Sequence, residues 1–184
     1  MSREERQERK RLEKEAFGRG GNAGRYLLRE KLVSIGDDFW IEDGTGAKAF
    51  KVDGKALRIR DTLVFEDPDG NEVASIKQKM MRVRKTMEVE GPDGETLATI
   101  KKDMITPFRE RYTVERADGS ELHVQGNILD HEYEFELDGR KVAQVSKKWF
   151  RVRDSYGVEF AQDQEVAVIL ASAVDIDQIA HDIG

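Results

Sequence analysis

Nine consecutive residues near the C-terminus, Val166 to Val174 (VAVILASAV), are apolar apart from one serine. A helix through them has no polar face to offer to water, so it must be enclosed on all sides. Running from about Gln164 to Ala180, it would be about 25 Å long, enough to cross a small domain. A membrane span needs about 20 apolar residues in a row. Ser172, Asp175 and Asp177 interrupt this one, so no transmembrane segment is expected. The wall around the helix has to come from the residues before it.

Those residues read as strands. Tyr26–Leu32, Phe39–Glu42, Ala49–Val52, Leu57–Arg60 and Leu63–Phe65 alternate or cluster apolar residues, with Asp-Gly turns at Asp43-Gly44 and Asp53-Gly54. Such turns between short apolar runs are a strong hairpin signal. An internal repeat follows. The segment Phe65-Glu-Asp-Pro-Asp-Gly-Asn-Glu-Val-Ala-Ser-Ile-Lys returns as Val89-Glu-Gly-Pro-Asp-Gly-Glu-Thr-Leu-Ala-Thr-Ile-Lys, and again from Val114 and from Phe135. The turn glycines Gly46, Gly70, Gly94, Gly119 and Gly139 are separated by 24, 24, 25 and 20 residues. Each unit is one hairpin, so about a dozen strands fit between Tyr26 and Phe160. Pro68 and Pro92 fall in the turns, where a fixed φ is useful.

An open sheet of that size would leave two unpaired edges. A closed one is wider than the eight-stranded kind that its own side chains can fill, and an apolar helix is a suitable plug. The expected fold is therefore mainly β: a closed antiparallel barrel of about twelve strands around a central hydrophobic C-terminal α-helix. Asp163 is the expected N-cap, with Glu165 in the first turn. Asp175 and Asp177 are expected near the exit of the barrel, capping strand or loop amides.

Residues 1–25 differ from the rest. They carry a net charge of +3 within a chain of −6, and a glycine-rich breaker, residues 18–24, ends them. They are read as a flexible charged N-terminal arm, and 26–184 as the barrel domain. The arm has no apolar core of the signal-peptide kind. Absence of cysteine removes disulfides, thiol catalysis and thiolate metal sites, and fits a cytoplasmic protein. A pI of about 5.3 argues against general nucleic-acid binding.

The motif Val145-Ser-Lys-Lys-Trp-Phe-Arg-Val-Arg-Asp-Ser-Tyr-Gly-Val-Glu-Phe160, followed by a polar step and the helix Val166–Ile179, resembles the signature of the LURP-one-related family. Tyr26-Leu-Leu-Arg-Glu-Lys with Phe39-Trp-Ile-Glu-Asp is similar to its first hairpin. That family is similar in turn to the tubby C-terminal domain and the phospholipid scramblases. The resemblance implies a twelve-stranded barrel around a central helix. It also implies tubby-like phosphoinositide binding or, alternatively, scramblase-like action on membrane lipids. The chain lacks a palmitoylation-type cysteine cluster, which counts against the second.

No enzyme is expected. His123, His131 and His181 lack metal-ligand spacing, Asp67–Glu72 departs from a calcium loop, and no Gly-x-Ser-x-Gly occurs. No cofactor or metal is implied. The candidate site is basic. Alternation sends Arg82 and Arg84, Arg109 and Arg111, and Arg151 and Arg153 outward from three equivalent strands. Lys77, Lys79, Lys101, Lys102, Lys147 and Lys148 precede them in equivalent loops. Gathered at one end, these twelve residues would bind anions through charge-assisted bonds. The alternative is a solvated face whose arginines pair with Glu88, Glu90, Glu115 and Glu159. Lys85, Glu110 and Asp154 fall on the inward face, where pairing at the barrel mouth is expected. The expected role is a binding module or scaffold for anionic membrane lipids or a protein partner, cytoplasmic and, with a lipid ligand, peripheral at a membrane.

Overall fold

A computed structural model describes residues 2–19, 21–29, 38–53, 62–80, 85–103, 111–148 and 155–181. Helix α1 (Arg3–Phe17) comes first. The strands β1 (Gly24–Arg29), β2 (Phe39–Asp43), β3 (Lys48–Asp53), β4 (Thr62–Glu66), β5 (Glu72–Met80) and β6 (Lys85–Glu90) follow. Next are β7 (Thr96–Lys102), β8 (Arg111–Arg116), β9 (Glu121–Asn127), β10 (Glu132–Leu137), β11 (Arg140–Ser146) and β12 (Ser155–Phe160), then helix α2 (Val166–His181). The strands form a closed barrel in chain order, and β1 completes it by pairing with both β2 and β12. The expected strand at Leu57–Arg60 lies outside the described residues.

Local chemistry sets the hairpins. In the turn Asp67–Gly70 the amide of Gly70 donates to the Asp67 carbonyl at 3.0 Å, and Pro68 presets φ at the second position. Gly70 then takes φ +86°, which L side chains rarely adopt, and the register slips by one residue between Phe65 and Glu66. Asp67 Oδ1 accepts the amides of Asp69 and Asn71, both at 2.9 Å. Asp43 repeats this with Thr45 and Ala47, and Gly46 is again left-handed. Turn, bulge and cap occur together at Asp43 and Asp67, and the same one-residue slip recurs between Val89 and Glu90 of β6, each bending its strand pair.

Alternation sends every second strand residue into the lumen. Leu28, Ile41, Val52, Phe65, Val89, Ile100, Leu122 and Phe135 are buried there against Val168, Ile169, Leu170, Ala171, Ala173 and Val174 of α2. The outward positions are charged or polar, among them Lys51, Lys77, Lys101, Glu115 and Glu134. The apolar helix is thus inside the sheet.

Where the chain turns from β12 into α2, several groups hold it. The Ala161 amide donates to Val142 O at 2.8 Å, Gln162 Nε2 to Asn22 O at 2.7 Å, and Arg140 Nη2 to Asp163 Oδ2 at 2.7 Å. The Ile169 amide reaches the carbonyl of Glu165, so the helix opens at Glu165. Asp163 was expected to cap it. It sits two residues too early, and its carboxylate is taken by Arg140 and by Gln164 Nε2. Glu165 likewise precedes the first turn rather than lying in it.

The charged N-terminal segment contains α1. Ser2 and Glu5 form a reciprocal capping box: Ser2 N donates to Glu5 Oε2 at 2.6 Å, and Glu5 N to Ser2 Oγ at 3.1 Å. The helix meets β11, with Ala16 buried, Glu13 Oε1 accepting the Lys141 amide at 3.0 Å, and Lys141 Nζ 4.9 Å from the Phe17 ring centre.

The plug is not uniformly apolar. Ser172, Asp175 and Gln178 lie three residues apart on one stripe of α2. Ser172 Oγ, both carboxyl oxygens of Asp175 and Gln178 Oε1 have no hydrogen-bond partner among the described residues. Asp175 was expected to cap amides at the exit of the barrel. It is wholly enclosed instead, and burial pushes its carboxyl well above the usual carboxylate range. Burial favours its neutral form in the folded protein, whereas the unfolded chain ionises it near the ordinary value of 3.8. Its contribution is therefore most favourable below that value and is lost as pH rises through the folded pKa.

Two outcomes follow from this packing. Leu170→Ala, which empties space between helix and wall, should lower unfolding free energy by about 2–5 kcal/mol in urea titration. Asp175→Asn, which keeps the shape without the ionisation, should stabilise the protein by about 1–3 kcal/mol at mildly alkaline pH. That gain should shrink as pH is lowered toward 4, read from urea midpoints across the pH range.

Candidate functional site

Consecutive antiparallel strands alternate direction, so the connections fall into two sets. The glycine turns after β2, β4, β6, β8 and β10, with the lead into α2, lie at one end. The connections after β1, β3, β5, β7, β9 and β11 belong to the other. At this second end Lys101 and Lys102 close β7, Arg111 opens β8, and Lys147 and Lys148 follow β11. Lys79 is one residue from the end of β5 and Lys77 three. Lys101, Lys102, Arg111, Lys147 and Lys148 thus stand at strand ends or connections of this second end, with Lys77 and Lys79 inside β5. The sequence reading put Lys77, Lys79, Lys101 and Lys102 in loops. They are strand residues, because the β5–β6 ladder runs on to Met80↔Lys85 and the β7–β8 ladder to Lys102↔Tyr112. Arg82, Arg84, Arg109, Arg151 and Arg153 lie outside the described residues. So do Glu110, Asp154 and the side chain of Lys85, and with them the expected pairing at the mouth.

Cross-strand carboxylates meet several of these cations. Lys77 pairs with Glu90, Lys101 with Glu115 at 2.5 Å, and Lys148 with Glu132 at 3.2 Å. The pattern continues around the wall, with Lys51 on Glu66 at 3.2 Å, Lys141 on Glu134 at 3.2 Å, and Arg25 on Glu159. Glu90, Glu115 and Glu159 thus take Lys77, Lys101 and Arg25. Glu88 accepts the Thr96 hydroxyl at 2.7 Å. Half-exposed pairs of this kind contribute at most about 1 kcal/mol each, so an incoming anion can compete for the lysines. Lys102 Nζ stands 5.7 Å from the Tyr112 ring centre. Arg111 is exposed and has no carboxylate partner among the described residues. It lines an open groove of about 430 Å³ with Asp103, Thr113, His123, Gln125 and Glu136.

The two ends differ in charge. Among the described residues of the connections at the second end, Lys147 and Lys148 stand against Asp38, Asp103 and Asp130, beside the strand-end cations Lys101, Lys102 and Arg111. The turns 44–47, 67–71, 91–95, 117–120 and 138–139, with residues 161–165, carry eight Asp/Glu and no Lys/Arg. The turn geometry also keeps the acidic end ionised. Hydrogen bonds from the Asn71 side chain and from turn amides hold Asp67 below the usual carboxylate range, and those from Ser120 do the same for Asp118.

One group at the basic end was missed from sequence. His131, in the connection between β9 and β10, turns into the lumen and bonds Asp177 of α2 through Nε2. Its ring stacks on Tyr156 at 4.4 Å. Both members of the pair are buried, at 2% and 6% exposure. Beside them Tyr133 is enclosed, and burial, then the nearby Asp177 and Tyr112, push its hydroxyl well above the usual phenol range. The available signal was a histidine in a short turn and an aspartate near the end of a plug aimed at that turn. Among the described residues no group of three or more His, Cys, Asp or Glu gathers as a metal site would require.

The X-ray structure of a protein from Arabidopsis thaliana shares the fold, with a TM-score of 0.64 at 18% identity over 86% of this chain and 91% of that one. No curated protein matches the chain. The pattern of the LURP-one-related family matches residues 25–177, which span β1 to the last turns of α2 and leave α1 outside. The chain belongs to the LURP-one-related family.

Proposed function

We propose that the protein is a non-enzymatic binding module that meets anionic lipid head groups with the barrel end bearing Lys101, Lys102, Arg111, Lys147 and Lys148. The observation that carries this reading is the difference in charge between the two ends. A surface of negative charge repels the eight turn carboxylates and attracts the opposite rim, so approach and orientation have one solution. On this reading phosphoinositides are preferred for their charge density. The His131–Asp177 pair, the most enzyme-like constellation present, is closed to substrate by burial, which supports a binding role.

The reading is peripheral. Among the described residues no helix is long and apolar enough to cross a membrane. The outward strand positions carry lysine and glutamate where a lipid-facing barrel needs an apolar band. The protein on this view works in the cytoplasm and docks by charge, without the lipid-crossing step that a scramblase requires.

The full chain should co-sediment with phosphatidylcholine vesicles containing phosphatidylserine or a phosphoinositide. It should not do so with phosphatidylcholine alone, and binding should weaken as salt shortens the screening length. Combined Lys101→Glu, Lys102→Glu and Arg111→Glu should weaken binding by roughly a hundredfold, at about 1 kcal/mol per lost cation. Asp69→Lys with Asp93→Lys, at the far end, should not weaken it. Soluble inositol phosphates as competitors separate head-group recognition from attraction to a charged surface. Binding insensitive to salt and to the triple substitution would defeat the reading.

A further inference from the structure

Among the described residues one large apolar side chain stands in solvent: Leu129, 59% exposed. It is the tip of the connection between β9 and β10. A single exposed leucine is ordinary on a protein surface. What sets this one apart is how firmly its backbone is held and where it is held.

The His131 amide donates to Ile128 O at 3.0 Å and closes the turn. Asn127 Nδ2 donates to Asp130 Oδ2 at 2.5 Å and the Asp130 amide to Asn127 Oδ1 at 3.3 Å, bracing the flank. Ile128, next to the tip, is buried. His131 adopts a left-handed backbone at φ +53°, uncommon for residues other than glycine although histidine is among those that enter it most readily. In this conformation its imidazole points inward, bonded to Asp177 and stacked on Tyr156. The turn is thus pinned to the core helix from inside, and the same geometry leaves Leu129 outside. Strained backbone persists where the surroundings over-determine it, and such places cluster at functional surfaces.

The barrel order places β8 beside β9 and β11 beside β10. Leu129 therefore stands between the strand opened by Arg111 and the residues Lys147 and Lys148 that follow β11. The acidic groups nearby in the chain are engaged: Asp130 by Asn127, Glu132 by Ser146 and Lys148, and Asp103 by Thr113.

We infer that Leu129 is a bilayer-inserting tip: when the basic rim docks, this side chain enters the lipid interface while Arg111, Lys147 and Lys148 meet the head groups. This rests on the lipid-binding reading above and adds a hydrophobic anchor to it. Charge alone gives a docking that salt removes. A buried leucine adds a component that salt does not screen.

The chain has no cysteine, so Leu129→Cys carries a single environment-sensitive nitrobenzoxadiazole label on the full-length protein. Thr45→Cys, in a turn at the acidic end, is the matched control. With vesicles of phosphatidylcholine and phosphatidylserine, the label at position 129 should brighten and shift to the blue, and the label at 45 should not. Leu129→Ser should weaken vesicle binding roughly tenfold while leaving its salt dependence unchanged. Vesicle binding with no response at position 129 overturns the tip and leaves head-group binding standing. Failure to co-sediment with anionic vesicles at low salt overturns both.

Discussion

Mutual burial of one helix and one sheet governs this structure. α2 has no face that tolerates water, and a ring of twelve strands has an interior that its own side chains cannot fill. Each supplies what the other lacks. The consequence is a wall apolar inside and charged outside, with every strand edge paired. Even β1, which meets β2 through only two residue pairs, Tyr26↔Asp43 and Leu27↔Glu42, is secured by six pairs to β12 on its other side. Groups from β11, the segment after α1 and residues 161–164 converge where the chain passes from wall to plug. Closure and insertion are thus tied at one rim.

The plug is where the fold accepts costs. Asp175 is sealed in without a hydrogen-bond partner among the described residues, and Ser172 and Gln178 extend the same stripe. Asp177, on the other side of the helix, finds His131. A barrel needing only stability would not require these groups. The His131–Asp177 pair couples the helix end to a turn at the basic rim, so a change in either is felt by the other. Outside, the lysine–glutamate pairs across adjacent strands contribute little stability each. Their effect is to keep the wall hydrated and nearly balanced, which leaves the imbalance of charge to the two rims.

Most of the architecture was legible because it rests on local rules. Period-two alternation marks β4, β5 and β7. Asp-Gly and Pro-Asp-Gly mark the turns because few residues other than glycine accept φ near +85°. The all-round apolar run marks α2, and the closing motif Val145–Phe160 carries the family. What local rules could not supply is distance across the barrel. Glu90 and Glu115 were weighed as partners of arginines and Lys77 and Lys101 were placed in loops, since nothing local announces that these lysines meet those glutamates at diagonal register. Strand ends were drawn short for the same reason: ladder pairing extends β5 to Met80 beyond where alternation is clean. Asp163 looked like a helix cap, and only the position of Arg140 on a neighbouring strand explains why it is not.

The sequence by itself determined the number of strands, their turns, the inside and outside of the wall and the identity of the plug. These follow from steric limits on single residues and from the periodicity of apolar side chains, both of which act over a few neighbours. Only the tertiary structure decided that Lys77 and Lys101 meet Glu90 and Glu115, that Asp175 is sealed in, and that His131 reaches Asp177 and leaves Leu129 standing out. Those depend on which residues meet across the lumen or around the ring, and chain closure sets that only when the whole barrel is assembled.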